Sequence, residues 1–145
     1  MKKKPLGTAG GLGLFNFNCK KIIVSNGDIL TDINFKSLSA YHDSCNNDLT
    51  IGVKNIKISN PYGVFKLKIE GKINSFIEKP VESHFINAGV YVLNTTLLKL
   101  IKKNKYIDMP QLINFAIKKN YKVNACPIHE NWVDIGTYEN LNKLL

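Results

Sequence analysis

The sequence predicts an α/β fold with a mixed, mostly parallel sheet flanked by helices, and three observations predict it. The apolar rhythm switches repeatedly between short β-type runs and patches with helical spacing, as it does when strands and helices alternate around one sheet. The chain has 145 residues, the size of a single-core domain, and 44% of them are hydrophobic. It carries no low-complexity tract and only five prolines, which excludes a collagen, a coiled coil and a disordered tail.

Taken in order, Ile22-Ile23-Val24-Ser25 reads as a short buried strand that stops at the turn Asn26-Gly27-Asp28. Phe35, Leu38 and Tyr41 then repeat with helical spacing. Leu49 to Lys54 is a second strand. Gly63 to Ile69 and Ile73 to Ile77 alternate on either side of Glu70-Gly71, the pattern of a hairpin. Ala88 to Leu93 is a strand ending at Asn94-Thr95-Thr96, residues that cap helices, ahead of Leu97, Leu98 and Ile101. Asp108 and Pro110 open a helix to Lys119. Tyr121 to Pro127 and Trp132 to Ile135 return as strands, and Thr137 can cap a last helix carrying Leu141, Leu144 and Leu145.

The net charge of +9 comes from 20 lysines and no arginine, spread from end to end. A nucleic-acid binder clusters its charge and keeps arginine for bidentate contacts, so that class is set aside, and the basic surface serves at most to attract anionic small molecules. Apolar runs fall far short of the ~20 residues that cross a bilayer. Met1-Lys2-Lys3-Lys4-Pro5 leads into glycines rather than an apolar core, unlike a secretory signal. The expected setting is cytoplasmic, without a membrane. Cys19, Cys45 and Cys126 lack disulfide or zinc spacing and read as reduced core residues; His42, His84 and His129 read as surface or packing residues.

Several residues are placed to carry chemistry. Gly7-Thr8-Ala9-Gly10-Gly11-Leu12-Gly13 matches neither the dinucleotide fingerprint nor the P-loop. Small residues there let a ligand lie against the backbone, and the N–H groups at the start of the following helix are expected to face an anion or a nucleobase edge; the plain alternative is a structural turn. Asp28 follows the carboxyl end of a strand, where open α/β sheets bind ligands, and is a candidate for Mg²⁺ or a turn cap. Asp134, with Gly136 behind it, has the same character. Glu78-Lys79 at a strand end suits a sugar diol and a phosphate, or forms a solvated ion pair. Asn87 in Asn87-Ala88-Gly89 offers an amide to sugar hydroxyls.

In this order the segments resemble the sugar-phosphate nucleotidylyltransferases, the family of mannose-1-phosphate guanylyltransferase and glucose-1-phosphate thymidylyltransferase. Pro5-Leu6-Gly7-Thr8-Ala9-Gly10 is similar to the family's base-proximal loop, Asn26-Gly27-Asp28 to its metal-bearing strand end, and Tyr62-Gly63-Val64 to a mid-domain segment. Glu78-Lys79-Pro80, Asn87-Ala88-Gly89-Val90-Tyr91 and Trp132-Val133-Asp134-Ile135-Gly136-Thr137 resemble its sugar and second metal motifs. The last two lean toward the mannose-1-phosphate guanylyltransferase branch.

The resemblance implies a Rossmann-like nucleotide-diphospho-sugar transferase fold and nucleotidyl transfer from a nucleoside triphosphate to a sugar 1-phosphate. It implies Mg²⁺ on Asp28 and Asp134, which should approach each other across a cleft. Lys79 would face the sugar phosphate, Glu78 and Asn87 the sugar, and Gly7, Thr8 and Gly10 the base, with Asn26 and Gly63 also beside substrate. The family's first strand and its Gly-Gly-x-Gly-Thr-Arg-Leu loop are not in these residues, so residues 1–145 are expected to be the C-terminal portion of one such domain, truncated at the N-terminus. Either a homo-oligomer or a complementing N-terminal segment would then cover the strand at Ile22, and the chain alone would be weak or inactive. Two alternatives stand beside this: a noncatalytic sugar-phosphate or nucleotide-sugar binding module, and a glycosyltransferase, whose usual Asp-x-Asp is absent here.

Overall fold

The computed structural model describes residues 5–136. In chain order the elements are α1 (Gly7–Gly10), a 3₁₀ turn at Gly11–Leu14, β1 (Lys21–Ser25), β2 (Ile29–Thr31), α2 (Phe35–Ser44), β3 (Leu49–Ser59), β4 (Val64–Leu67), β5 (Ile73–Ile77), β6 (Val81–Asn94), a 3₁₀ segment at Thr95–Leu100, α3 (Met109–Lys118), β7 (Val123–Pro127) and β8 (Trp132–Asp134). The α/β class agrees with the sequence reading, and so does the order of the elements it named, while β2 at Ile29–Thr31 was not among them.

The central sheet has strand order β1-β6-β3-β7. It is mixed as expected, but mostly parallel only in strand direction. β1, β3 and β7 run one way and β6 runs against them, so β3 with β7 is the one parallel pairing in this sheet. The cause is the connection: β6 comes straight back from the β4–β5 hairpin with no crossover helix, and such a return must be antiparallel.

β6 is the buried spine. Ala88, Val90 and Val92 face Ile33, Leu38 and Ile128 on the α2 side, while Tyr91 and Leu93 face Ala9, Leu97, Leu112 and Ala116 on the α1–α3 side. This two-sided burial explains the continuous apolar run in the sequence. The outer halves of β3 and β6, beyond Lys54 and before Ala88, were not legible as strands. They pair along an arm that is largely exposed, where the alternation is brief, Ile56-Lys57-Ile58 in β3, and neither face is fully buried.

Helix α2 is capped as its sequence dictates, the Asn34 side chain accepting from the N–H groups of Lys36 and Ser37 at 3.0 and 3.1 Å. Asn94 does not cap the segment after it. Its amide instead accepts from His42 Nε2 at 3.1 Å and donates to the Asn47 carbonyl at 2.9 Å, and residues 95–100 form a 3₁₀ segment. His42 is buried and bonded through Nδ1 to Thr50 Oγ1 at 2.8 Å, a packing role. Of the three cysteines expected in the core, only Cys126 packs against it, beside the cluster of Ile33, Leu38 and Ala88. Cys19 lies in the exposed approach to β1, while Cys45 at the end of α2 and Cys126 on an edge strand are half-buried. The last helix expected from Thr137 through Leu145 lies outside the described residues.

Candidate functional site

A cavity of about 430 Å³ opens where β1 ends, lined by Thr8, Val24, Ser25, Asn26, Gly27, Asp28 and Met109. The glycine turn and the first strand-end carboxylate are thus neighbours. No lysine among the described residues lines this cavity.

Asp134 arrives through the β2–β8 pairing, which sets it opposite Ile29, and the Ile135 N–H donates to the Asp28 carbonyl at 2.8 Å. A Cβ built on Gly136 would lie 3.0 Å from Asp28 Oδ2 and 3.0 Å from Asp134 Oδ1, so the two oxygens are separated by at most twice that distance. The Gly136 N–H donates to Asp134 Oδ1 at 2.8 Å and fixes one side of the notch. The donor set is oxygen only, and the position a side chain would fill is vacant because residue 136 is glycine. Two carboxylates, with waters and substrate phosphates completing the shell, suit Mg²⁺. Among the described residues no third His, Cys, Asp or Glu joins them.

The glycine turn holds a correction. Its N–H groups are not open to a ligand anion: Thr8 N–H donates to the chain's own Asp108 carboxylate, at Oδ1, at 3.0 Å, and Ala9 and Gly10 N–H both donate to the Ile107 carbonyl, at 3.1 and 3.0 Å. Thr8 Oγ1 accepts from the Met109 N–H at 2.8 Å. The turn therefore presents shape rather than free amides to the cavity. Gly7, at φ +78°, lies so close to Ile107 and Asp108 that a side chain would collide with them.

Glu78 sits at the foot of the β4–β5 hairpin. A Cβ on Gly63 would come within 2.8 Å of Glu78 Oε2 and would also meet the Phe76 ring, so Gly63 is a packing glycine beside Glu78. Lys79 is exposed at φ +44°. Neither Glu78, Lys79 nor Asn87 lines the Thr8–Asp28 cavity. Asn87 is oriented by donating to Tyr91 Oη at 2.7 Å and accepting from the Gly89 N–H at 2.9 Å. Burial raises the Tyr91 phenol above its ordinary range and keeps it protonated, with the Asn87 bond opposing in part.

Gly89 is the hinge between Asn87 and the Asn26 turn. It stands at φ +71°, and a Cβ there would lie 2.8 Å from Asn26 Nδ2. Gly89→Ala should destabilise the fold by roughly 1–3 kcal/mol, since both the left-handed backbone and the displaced amide count against it. Urea unfolding measures this; an unchanged midpoint would mean that the turn gives way freely.

Sequence reasoning did not single out Tyr106 or Met109, and read Asp108 only as the start of a helix. The Tyr106 hydroxyl donates to Asp108 Oδ2 at 2.7 Å, and this bond first, the Thr8 N–H second, hold the Asp108 carboxyl below its ordinary range. The signal available was Asp108 with Pro110 and Gln111, a helix start; its tie to Thr8 spans the chain and leaves no local pattern.

Comparison with known proteins gives a consistent picture. The profile of the nucleotidyl transferase family matches residues 1–144. The chain is 33% identical over 139 residues to a mannose-1-phosphate guanylyltransferase catalytic subunit beta of Drosophila pseudoobscura pseudoobscura, covering 92% of this chain and 37% of that one. It is 38% identical over 144 residues to a mannose-1-phosphate guanyltransferase of Yarrowia lipolytica, covering 94% of this chain and 39% of that one. The chain thus spans well under half the length of these curated relatives. The crystal structure of HddC from Yersinia pseudotuberculosis superposes with a TM-score of 0.67 at 25% identity, over 98% of this chain and 62% of that one. The same protein has also been solved in complex with GMP-PN, and that structure superposes with a TM-score of 0.65.

Proposed function

The chain belongs to the nucleotidyl transferase family, and from that premise we propose that it supplies the metal and sugar-phosphate side of a site that makes a nucleotide-sugar. The observation that carries this reading is the pair Asp28 and Asp134, brought to one notch around Gly136 beside the glycine-turn cavity. In the reaction a phosphate oxygen of a sugar 1-phosphate attacks the α-phosphorus of a nucleoside triphosphate. The bond from that phosphorus to the bridging oxygen breaks, and pyrophosphate leaves with the electron pair.

Little covalent work falls to the protein; orientation and charge are its contribution. Asp28 and Asp134 would hold Mg²⁺, which supplies charge neutralisation on phosphate oxygens when bound. Lys79 offers a cation to the sugar phosphate, and Glu78 and Asn87 accept from and donate to sugar hydroxyls. Gly7, Thr8 and Gly10 shape the base end, with Asn26 between the two ends. The names of the curated relatives favour guanosine and a mannose-type sugar.

A second reading, a noncatalytic nucleotide-sugar binding subunit, draws support from the cavity, whose lining among the described residues includes a carboxylate and no cation. Both readings require binding. Calorimetry of the 145-residue chain with GDP-mannose and Mg²⁺ should show saturable binding, weakened roughly tenfold by Glu78→Ala, which removes one charge-assisted hydrogen bond from an exposed residue. Equal binding by wild type and variant would return Glu78 to a surface role, and no binding by wild type would remove the reading of the site.

A further inference from the structure

The geometry points to Asp108 as a positioning residue: through Thr8 it fixes the glycine turn against the cleft, and we propose that ligand affinity at the base end depends on it. This rests on the reading of the site above. The turn does not hold itself. α1 is a single turn, too short to stabilise its own backbone. Its amides are satisfied instead by the segment leading into α3: Ile107 N–H donates to the Leu6 carbonyl at 2.9 Å, the Ile107 carbonyl takes Ala9 and Gly10, and Asp108 Oδ1 takes Thr8.

Asp108 is itself fixed on both sides. Tyr106 Oη donates to Oδ2 at 2.7 Å, and Asp108 N–H donates to Gln111 Oε1 at 2.9 Å. Thr8 and Met109, joined by the bond from Met109 N–H to Thr8 Oγ1, both face the cavity with Asp28. One carboxylate therefore links the start of a helix to a turn one hundred residues earlier in the chain, at the wall where a ligand would lie. Where bound groups must be aligned, a misplacement of about 1 Å can cost a hundredfold.

The test compares wild type, Asp108→Ala and Asp108→Asn, since asparagine keeps an oxygen that can accept from Thr8. Amide hydrogen exchange is followed at Thr8, Ala9 and Gly10 and at core positions of β3 and β6, and GDP-mannose affinity is read by calorimetry. The expected result is that Asp108→Ala accelerates exchange at Thr8, Ala9 and Gly10 while the core amides keep their rates. Affinity should fall roughly tenfold to a hundredfold, and asparagine should restore most of both. Unchanged exchange in the turn, equal acceleration in the core, or accelerated turn exchange with wild-type affinity would each overturn the proposal. If wild type itself binds no nucleotide-sugar, the reading of the site fails, and the exchange rates alone decide whether Asp108 holds the turn.

Discussion

Given Mg²⁺, GTP and mannose 1-phosphate, the purified 145-residue chain should release pyrophosphate roughly a thousandfold or more slowly than the same chain joined to a segment bearing the family's Gly-Gly-x-Gly-Thr-Arg-Leu loop. The deficit is electrostatic. Pyrophosphate leaves with several negative charges, and a positioned cation or donor at such a centre commonly contributes about 3–4 kcal/mol. The chain has no arginine. Among the described residues the cavity beside Asp28 has no lysine in its lining, and the Thr8, Ala9 and Gly10 amides are already bonded to Ile107 and Asp108. Lys79 is the cation proposed for the sugar phosphate, the attacking partner, and among the described residues no cation lines the cavity where the departing group would lie. Turnover of the unextended chain at the rate of the extended one would show that the essential charges lie elsewhere in these residues.

The second large effect is self-association. A folded monomer of 16.3 kDa exposes roughly 7,500 Å², whereas this chain exposes 10629 Å². Even counting the thirteen residues outside the description at the exposure of an unfolded chain, an excess of roughly 1,500 Å² remains, well above the ~800 Å² that one partner contributes to an ordinary interface.

The two sheet edges are not equally protected. β7 carries Pro127, and Tyr41 Oη donates to the Ala125 carbonyl at 3.0 Å, which blunts that edge. β1 offers Ile22-Ile23-Val24 with no strand on its outer side among the described residues, and Ile23 shares a groove with Phe35 and Ala40 of α2. Such an edge recruits strands. Sedimentation at micromolar concentration should therefore show oligomers or aggregates. Ile23→Lys, at a position already 43% exposed, should shift the population to monomer. A monodisperse wild-type monomer would contradict this.

Much of this was readable from local pattern. The buried run Ala88 to Leu93, the Asn26-Gly27-Asp28 turn and the Glu70-Gly71 hairpin each depend on a few adjacent residues, and each stands where its sequence placed it. What escaped was set by partners remote in sequence. Asn94 looks like a helix cap until His42 and Asn47 engage its amide, and the glycine turn looks open to anions until Ile107 and Asp108 take its N–H groups. The direction of β6 was likewise not in the apolar rhythm, because a fully buried strand has the same pattern parallel or antiparallel. For the candidate site, the pairing of Asp28 with Asp134 came from the resemblance, while the reason they meet, the register of β2 with β8, came from the structure.

The central claim is that Asp28 and Asp134 serve one cation. Mn²⁺, a spectroscopic substitute for Mg²⁺, can be titrated into wild type, Asp28→Asn, Asp134→Asn and the double variant, with free ion read by electron paramagnetic resonance. A shared site predicts that each single substitution weakens Mn²⁺ roughly tenfold or more and that the double variant is little worse than either, since groups acting on one ion are not additive. Losses that multiply in the double variant, or wild-type affinity in either single one, would mean that the two carboxylates do not hold a common ion.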